Sequence, residues 1–229
     1  MFHNSLSGHL LAVTVLYPPG VYRAERDTDL LIDVMRRGDY AVNRHVLDIG
    51  TGSGALAIAA ARAGASEVTA VDLSWRSVAA TWLNSRLQRS AVSVRRGDLF
   101  APVAGRRFDL VLANPLYVPS ESAVLPRHPI ARSWDAGPDG RALLDRICAD
   151  VINFLRANGD ILIVHSELCN TDRTLQALTA TGLRARVLAR ARVPFGPVLL
   201  ARAAMLEERG MIYPGQRVEK LVVVGACHA

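Results

Sequence analysis

Residues 46–72, VLDIGTGSGALAIAAARAGASEVTAVD, constrain the fold more than any other stretch of this chain. An apolar run, Val46-Leu47-Asp48-Ile49, breaks into Gly50-Thr51-Gly52-Ser53-Gly54 and continues as an Ala-rich segment with helical spacing. A buried strand that turns sharply into a helix is one half of a nucleotide-binding βαβ unit. Glycine has no Cβ and enters positive φ freely, so Gly50, Gly52 and Gly54 let backbone approach a ligand closely at a helix start, where free N–H groups point outward. A second strand, expected over residues 67–71, delivers Asp72 at its C-terminal end, where a carboxylate is placed to accept both hydrogen bonds of a ribose diol. The turn alone does not select one cofactor, because Gly50, Gly52 and Ala55 also satisfy the dinucleotide pattern G-x-G-x-x-A.

A chain of 229 residues, half of them apolar, is long enough for one α/β domain with a full core, and residues 1–229 are read as a single domain. The net charge of +6 comes from arginine, Lys220 being the only lysine. The pairs Arg36-Arg37, Arg95-Arg96 and Arg106-Arg107 are scattered and carry no interleaved aromatics, which argues against a dedicated nucleic-acid face. Cys148, Cys169 and Cys227 are widely spaced, and neither they nor the six histidines show ligand spacing. That pattern points to a reducing compartment and to no metal site. The apolar run at residues 10–17 is too short to span a bilayer and lacks signal-peptide flanks, so a soluble, cytoplasmic protein without membrane contact is expected.

The remaining chain alternates strand and helix. A turn at Pro18-Pro19-Gly20 precedes a helix over residues 29–37, for which Asp27 or Thr28 is a candidate cap. A helix over residues 75–88 is expected to turn Val78, Ala79, Trp82 and Leu83 inward, with Trp75 near enough to its start to cover an adenine edge. Strands follow at residues 92–94 and 108–113, then a long irregular stretch over residues 118–139 containing Trp134. A helix over residues 141–156, a strand over 161–164, a helix over 171–181 and a strand over 184–190 continue the alternation. After Pro194-Phe195-Gly196-Pro197 a helix runs to about residue 209, and a strand over 219–225 closes the chain. Such alternation implies a mostly parallel, seven-stranded sheet with helices on both faces.

Asp48, the glycine turn, Asp72, Asp98 and Asn114 all fall just past the ends of the first four expected strands. That rim is where open α/β sheets bind ligands. An acceptor at Asp98 is placed to take the exocyclic amine of adenine.

The residues Val21-Tyr22, Asp27-Thr28-Asp29-Leu30-Leu31, Val46 through Gly54, Asp72, Gly97-Asp98, Asn114-Pro115-Leu116-Tyr117-Val118-Pro119 and Gly137-Pro138-Asp139-Gly140-Arg141 together carry a resemblance. Over residues 19–165 the chain resembles the class I S-adenosylmethionine-dependent methyltransferases, which have a Rossmann-like α/β fold. Within them it resembles the short HemK-like release-factor glutamine methyltransferases of the eukaryotic and archaeal kind. The resemblance implies S-adenosyl-L-methionine as cofactor. Asp48, Leu73 and Asn114 would be among its binding residues; the turn of Gly50, Thr51, Gly52 and Gly54 would face its methionine moiety, Asp72 its ribose hydroxyls, Asp98 its adenine amine and the Leu99 N–H its ring, with Thr28 and Tyr22 closing the methionine end as part of a flap over residues 1–28.

The resemblance also implies catalysis by Asn114, Pro115 and Tyr117 on a nitrogen conjugated to a π system. The Asn114 oxygen and the Pro115 carbonyl would each accept one N–H, turning the nitrogen lone pair toward the methyl carbon, while Tyr117 stacks on the planar group. Two positions depart from the family pattern. Leu116 stands where a second proline is usual, which is expected to loosen the turn, and Arg26 stands where a glutamate is usual.

Fewer than 30 residues precede the first matched helix, where bacterial members carry a helical domain that engages the release factor. Substrate recognition is therefore assigned to the loop at residues 118–139, to the flap, or to a small partner subunit like the zinc protein of the eukaryotic enzymes. The leading reading is methylation of a glutamine side chain in a protein such as a translation release factor. Methylation of a small molecule or of adenine N6 in nucleic acid, an inactive cofactor-binding scaffold, and a nicotinamide-dependent oxidoreductase stand as alternatives.

Overall fold

The computed structural model describes residues 15–18, 21, 25–120 and 136–228. Its centre is a seven-stranded sheet built from β1 (His45–Ile49), β2 (Glu67–Asp72), β3 (Ser93–Arg96), β4 (Phe108–Ala113), β5 (Leu155–Ser166), β6 (Leu183–Pro194) and β7 (Val218–His228). The order across the sheet is β3-β2-β1-β4-β5-β7-β6. The first five strands run parallel, and β7 inserts antiparallel between β5 and β6. Chain direction across the sheet reverses between β1 and β4, so the crevice beyond their C-terminal ends is the topological switch point at which such sheets bind ligands.

Helices α1 (Arg26–Arg37), α2 (Ala55–Arg62), α3 (Trp75–Leu87), α4 (Ala142–Asp150), α5 (Thr171–Ala180) and α6 (Pro197–Glu208) cover the sheet. Alternation along each strand divides the core into two. Leu47 and Ile49 join Phe108, Val111, Ile147 and Ile161 on one face, whereas Val46 joins Leu31, Met35, Leu110 and Leu162 on the other. Among the described residues no helix is long and apolar enough to cross a membrane.

Three expectations need correction. The helix expected over residues 141–156 ends at Asp150, gives one 3₁₀ turn (Val151–Phe154) and becomes strand at Leu155. Leu155 is fully buried opposite Phe108, and Gly159 lets the chain pass where a Cβ would lie 2.9 Å from the Phe108 carbonyl oxygen, so the register shifts without breaking the ladder. Asp27 and Thr28 lie inside the first turn of α1 rather than before it, and the cap position falls to Glu25, whose side chain makes no capping bond.

The buried face of α3 is Ser77, Ala80, Thr81, Asn84 and Ser85, while Trp82 and Leu83 point to solvent. The reason is the glycine turn beneath it: a Cβ on Gly54 would stand 2.8 Å from the Thr81 methyl, so only short side chains fit. Asn84 is required there because its amide donates to the Ser53 and Leu16 carbonyls.

Among the described residues, Arg141 is the largest fully buried side chain. Arg141, 2 % exposed, donates to the carbonyls of Cys169 and Asn170, to the Thr174 hydroxyl and, at 2.7 Å, to Asp145. Removing one partner of such a buried network leaves the rest without donors, at a cost of roughly 3–5 kcal/mol. Arg141→Ala should lose that much stability in urea denaturation. Arg173→Ala, which cuts two ion pairs of an exposed arginine, should lose less than about 1 kcal/mol.

Candidate active site

The glycine turn is held from below by a buried carboxylate. Asp48 Oδ2 accepts from the Thr51 hydroxyl at 2.6 Å and from the Ala57 N–H at 3.1 Å, which pins both sides of the turn. Its Oδ1 is buried with no partner among the described residues, and full burial pushes the carboxyl pKa up to about 7. Gly50 has φ +72° and open space where a Cβ would stand. Gly52 donates its N–H to Asp72 Oδ2 at 2.9 Å and offers its carbonyl to the Thr81 hydroxyl at 3.0 Å.

Above the turn a cavity of about 1180 Å³ runs along the rim. One end is walled by Asp72, Leu73, Asp98 and Leu99, the middle by Gly50, Gly52, Asn114, Pro115 and Tyr117, and the other end by Glu25, Asp27, Phe195 and Glu219. Most of the residues expected to bind or react thus meet in one space. Asp48, Thr51, Gly54 and Thr28 do not line it; they stand behind the wall and brace it. Tyr22 lies outside the described residues, as do Trp134 and most of the stretch at residues 118–139. Trp75 is 57 % exposed and takes no part in the wall.

Both oxygens of Asp72 already accept backbone N–H groups, from Gly52 and from Ser74 at 2.8 Å, and burial raises its pKa. The Ser77 hydroxyl and the Leu73 N–H also donate to this carboxylate, so a diol bound there shares or displaces donors already in place. Asp98 meets Arg146 at 2.7 Å, both side chains being half exposed, so that ion pair is weak and yields readily to a ligand.

The middle of the cavity is organised by Asp27, whose role was not legible in the sequence. Asp27 is 2 % exposed. Its Oδ2 accepts from the Tyr117 hydroxyl at 3.0 Å, and its Oδ1 accepts from the Thr28 N–H at 2.6 Å and from the Thr28 hydroxyl at 3.3 Å. The Thr28 oxygen in turn accepts from Asn114 Nδ2 at 3.0 Å. Because Thr28 gives its proton to Asp27, it must receive one from Asn114, and this fixes which way the Asn114 amide faces. Asn114 Oδ1 is left with no donor among the described residues.

The backbone beyond the motif is tied by a different set. Arg202, from α6, donates to the Val118 and Pro119 carbonyls at 3.1 and 2.7 Å, and Arg209 donates to the Ser120 carbonyl at 2.9 Å. Ser120 N–H donates to the Gly137 carbonyl, and the Tyr117 carbonyl lies where a Cβ on Gly140 would come within 2.2 Å. Hydrogen bonds from Arg202 and Arg209 thus restrain the backbone just beyond Leu116 and Tyr117.

Two outcomes follow from this geometry. Asp27→Asn should reduce turnover by roughly 10²-fold, the scale for losing an aligned polar contact, with little change in cofactor affinity in a calorimetric titration. Asp48 binds its proton more tightly in the native than in the unfolded chain, so the stability it contributes is complete below its ordinary value of 3.8 and is lost as pH rises through about 7. Urea denaturation across that range should show stability falling with pH, and Asp48→Asn should flatten the fall.

Comparison with known proteins gives a consistent picture. The family described as methyltransferase small domain matches residues 12–125. A protein of Methanocaldococcus jannaschii, provisionally named a protein N5-glutamine methyltransferase, is 32 % identical over 189 residues, covering 81 % of this chain and 92 % of the relative. The release factor glutamine methyltransferase of Gloeobacter violaceus is 36 % identical over 147 residues, covering 59 % of this chain and 49 % of the relative. The chain thus spans nearly all of the archaeal relative and about half the length of the bacterial one. Among solved structures, the E. cuniculi Mtq2-Trm112 complex, responsible for methylation of the eRF1 translation termination factor, superimposes with a TM-score of 0.64 at 20 % identity, covering 92 % of this chain and 99 % of that one. That likeness is one of fold. The chain belongs to the class I methyltransferases of the HemK-like kind.

Proposed function

We propose that this enzyme transfers a methyl group from S-adenosylmethionine to a planar nitrogen, the side-chain amide of a glutamine in a protein, and that residues 1–229 work as one catalytic domain. The observation that carries this reading is the Asn114 amide, oriented through Thr28 with its oxygen unpartnered in the middle of the cavity. The residues present fit the cofactor: bare backbone at Gly50 and Gly52, carboxylates at Asp72 and Asp98 spaced along the rim, and the Leu99 N–H beside them. On this reading Asp72 holds the ribose hydroxyls, Asp98 the adenine amine, and the glycine turn the methionine moiety. Thr28 acts through Asn114 rather than as a flap of its own.

When bound, S-adenosylmethionine supplies a methyl carbon made electrophilic by its sulfonium. Asn114 Oδ1 and the Pro115 carbonyl accept the two N–H bonds of the acceptor amide and rotate its lone pair out of conjugation. Tyr117, its hydroxyl anchored on Asp27, offers its ring to the planar group. Positioning and removal of water then do most of the work, and the extra proton leaves the weakly basic product for solvent without a strong general base.

A translation release factor or a ribosomal protein is the acceptor class favoured by the names of the relatives. A small partner subunit belongs to the same proposal. Beside the edge strand β3, helix α3 exposes Trp75, Trp82, Leu83 and Leu87, a run of large apolar side chains uncommon on a surface without a partner.

The test is Asn114→Ala, assayed by transfer of labelled methyl from S-adenosylmethionine into source-cell protein. Labelling should fall by roughly 10²-fold or more while cofactor affinity stays within about twofold. Undiminished labelling would remove Asn114 from the mechanism.

A further inference from the structure

Sheet order sets the start of β7 on the same rim as Asn114 but on the side away from Asp72. Glu219 is the second residue of β7, and strand alternation turns it inward between the exposed Val218 and Lys220. It is 5 % exposed and lines the cavity. The Ser166 hydroxyl, at the end of β5, donates to its carboxylate, but Oε2 is buried and has no partner among the described residues.

Burial pushes the Glu219 carboxyl up to about 7, and Asp27 and Glu25 lie close enough to add to the rise electrostatically. The Glu25 carboxylate reaches the opposite wall, where a Cβ on Gly196 would stand 2.8 Å from its Oε2. Asp29 also faces the cavity, its carboxyl raised by burial and by Asp27. Among the described residues, the cations along the same wall are Arg146, which pairs with Asp98, Arg202, which donates to two carbonyls, and the exposed Arg26, which acts on Asp29 through its charge.

A buried acceptor without a donor is costly, and gathering further carboxylates around it raises the cost. A neutral glutamine held at Asn114 does nothing to relieve it. What completes such a site is a group that only donates and carries positive charge, seated against the apolar floor that Phe195 and Leu221 provide. We propose that Glu219, with Asp27 and Glu25, forms a cation subsite that receives a guanidinium or ammonium side chain of the acceptor protein near the glutamine to be methylated. Glu219 then sets substrate choice, and an acidic side chain at that place is rejected by like charge. This assignment rests on the amide-acceptor reading above, and the two can fail separately.

The probes are alanine-based peptides with one central glutamine and a single Arg, Lys or Glu placed one to four residues away, titrated calorimetrically into the S-adenosylhomocysteine-loaded enzyme at low salt. At least one Arg or Lys peptide should bind ten or more times more tightly than its Glu counterpart, and the Arg and Lys series tell guanidinium from ammonium. Glu219→Gln should reduce that preference to about threefold or less, and Glu219→Asp should retain part of it. Equal binding of all three series by the wild type would overturn the subsite. So would a Glu219→Gln protein that melts like the wild type and keeps the preference. If Glu219→Gln does not fold, the wild-type series together with Glu25→Gln decides. Charge-selective binding without methyl on the glutamine would leave the subsite standing and refute the acceptor reading, whereas methylation without charge preference would do the reverse.

Discussion

A single carboxylate, that of Asp27, joins helix α1 to the side chains of Asn114 and Tyr117 in the cavity. It is buried, and it holds Tyr117 directly and Asn114 through Thr28. Charge-assisted bonds of this kind are stronger and more directional than neutral ones. α1 is thereby locked to the end of β4, and the side chains of Asn114 and Tyr117 are locked with it. The amide of Asn114 has no freedom to flip, because the proton order from Asn114 to Thr28 to Asp27 runs one way only.

The remaining parts of the site are braced by the same device of placing a rigid partner behind each functional wall. Asp48 grips both ends of the glycine turn from inside the core. Thr81 and Asn84 hold the carbonyls of that turn from α3, and Arg202 holds the backbone beyond Tyr117 from α6. Residues on loops owe their precision to contacts with regular elements, a general requirement for sites that act by positioning. The cost of bracing is visible in Asp48, a buried carboxyl that retains an oxygen with no donor among the described residues.

Features written into neighbouring residues were legible in the sequence. The glycine turn, Asp72, Asp98 and Asn114 could be placed on one rim because each follows a short apolar run, and strand ends in an α/β sheet share a side. What escaped was set by partners far along the chain. Asp27 looked like a helix cap, since its bond to Tyr117 spans 90 residues and that of Thr28 to Asn114 spans 86. Arg202 gave no sign of a role, its carbonyl partners lying 83 and 84 residues away. The inward face of α3 was misjudged for a related reason. Hydrophobicity ranked Trp82 and Leu83 as core, but the tight approach of Gly54 and the Ser53 carbonyl, which takes its donor from Asn84, demanded small and polar groups instead. Leu155 and Phe108 likewise drew β5 out to twelve residues where local propensity suggested the end of a helix.

The central claim is that the cavity aligns a planar amide nitrogen with the methyl donor. Its most direct test is to incubate the enzyme with carbon-13-methyl S-adenosylmethionine and cell extract, then to map the heavy methyl by peptide sequencing in a mass spectrometer. The label is expected on the side-chain nitrogen of a glutamine in one or a few proteins. Label recovered in nucleic acid or in small molecules, or on an oxygen, sulfur or amine of protein, would contradict it.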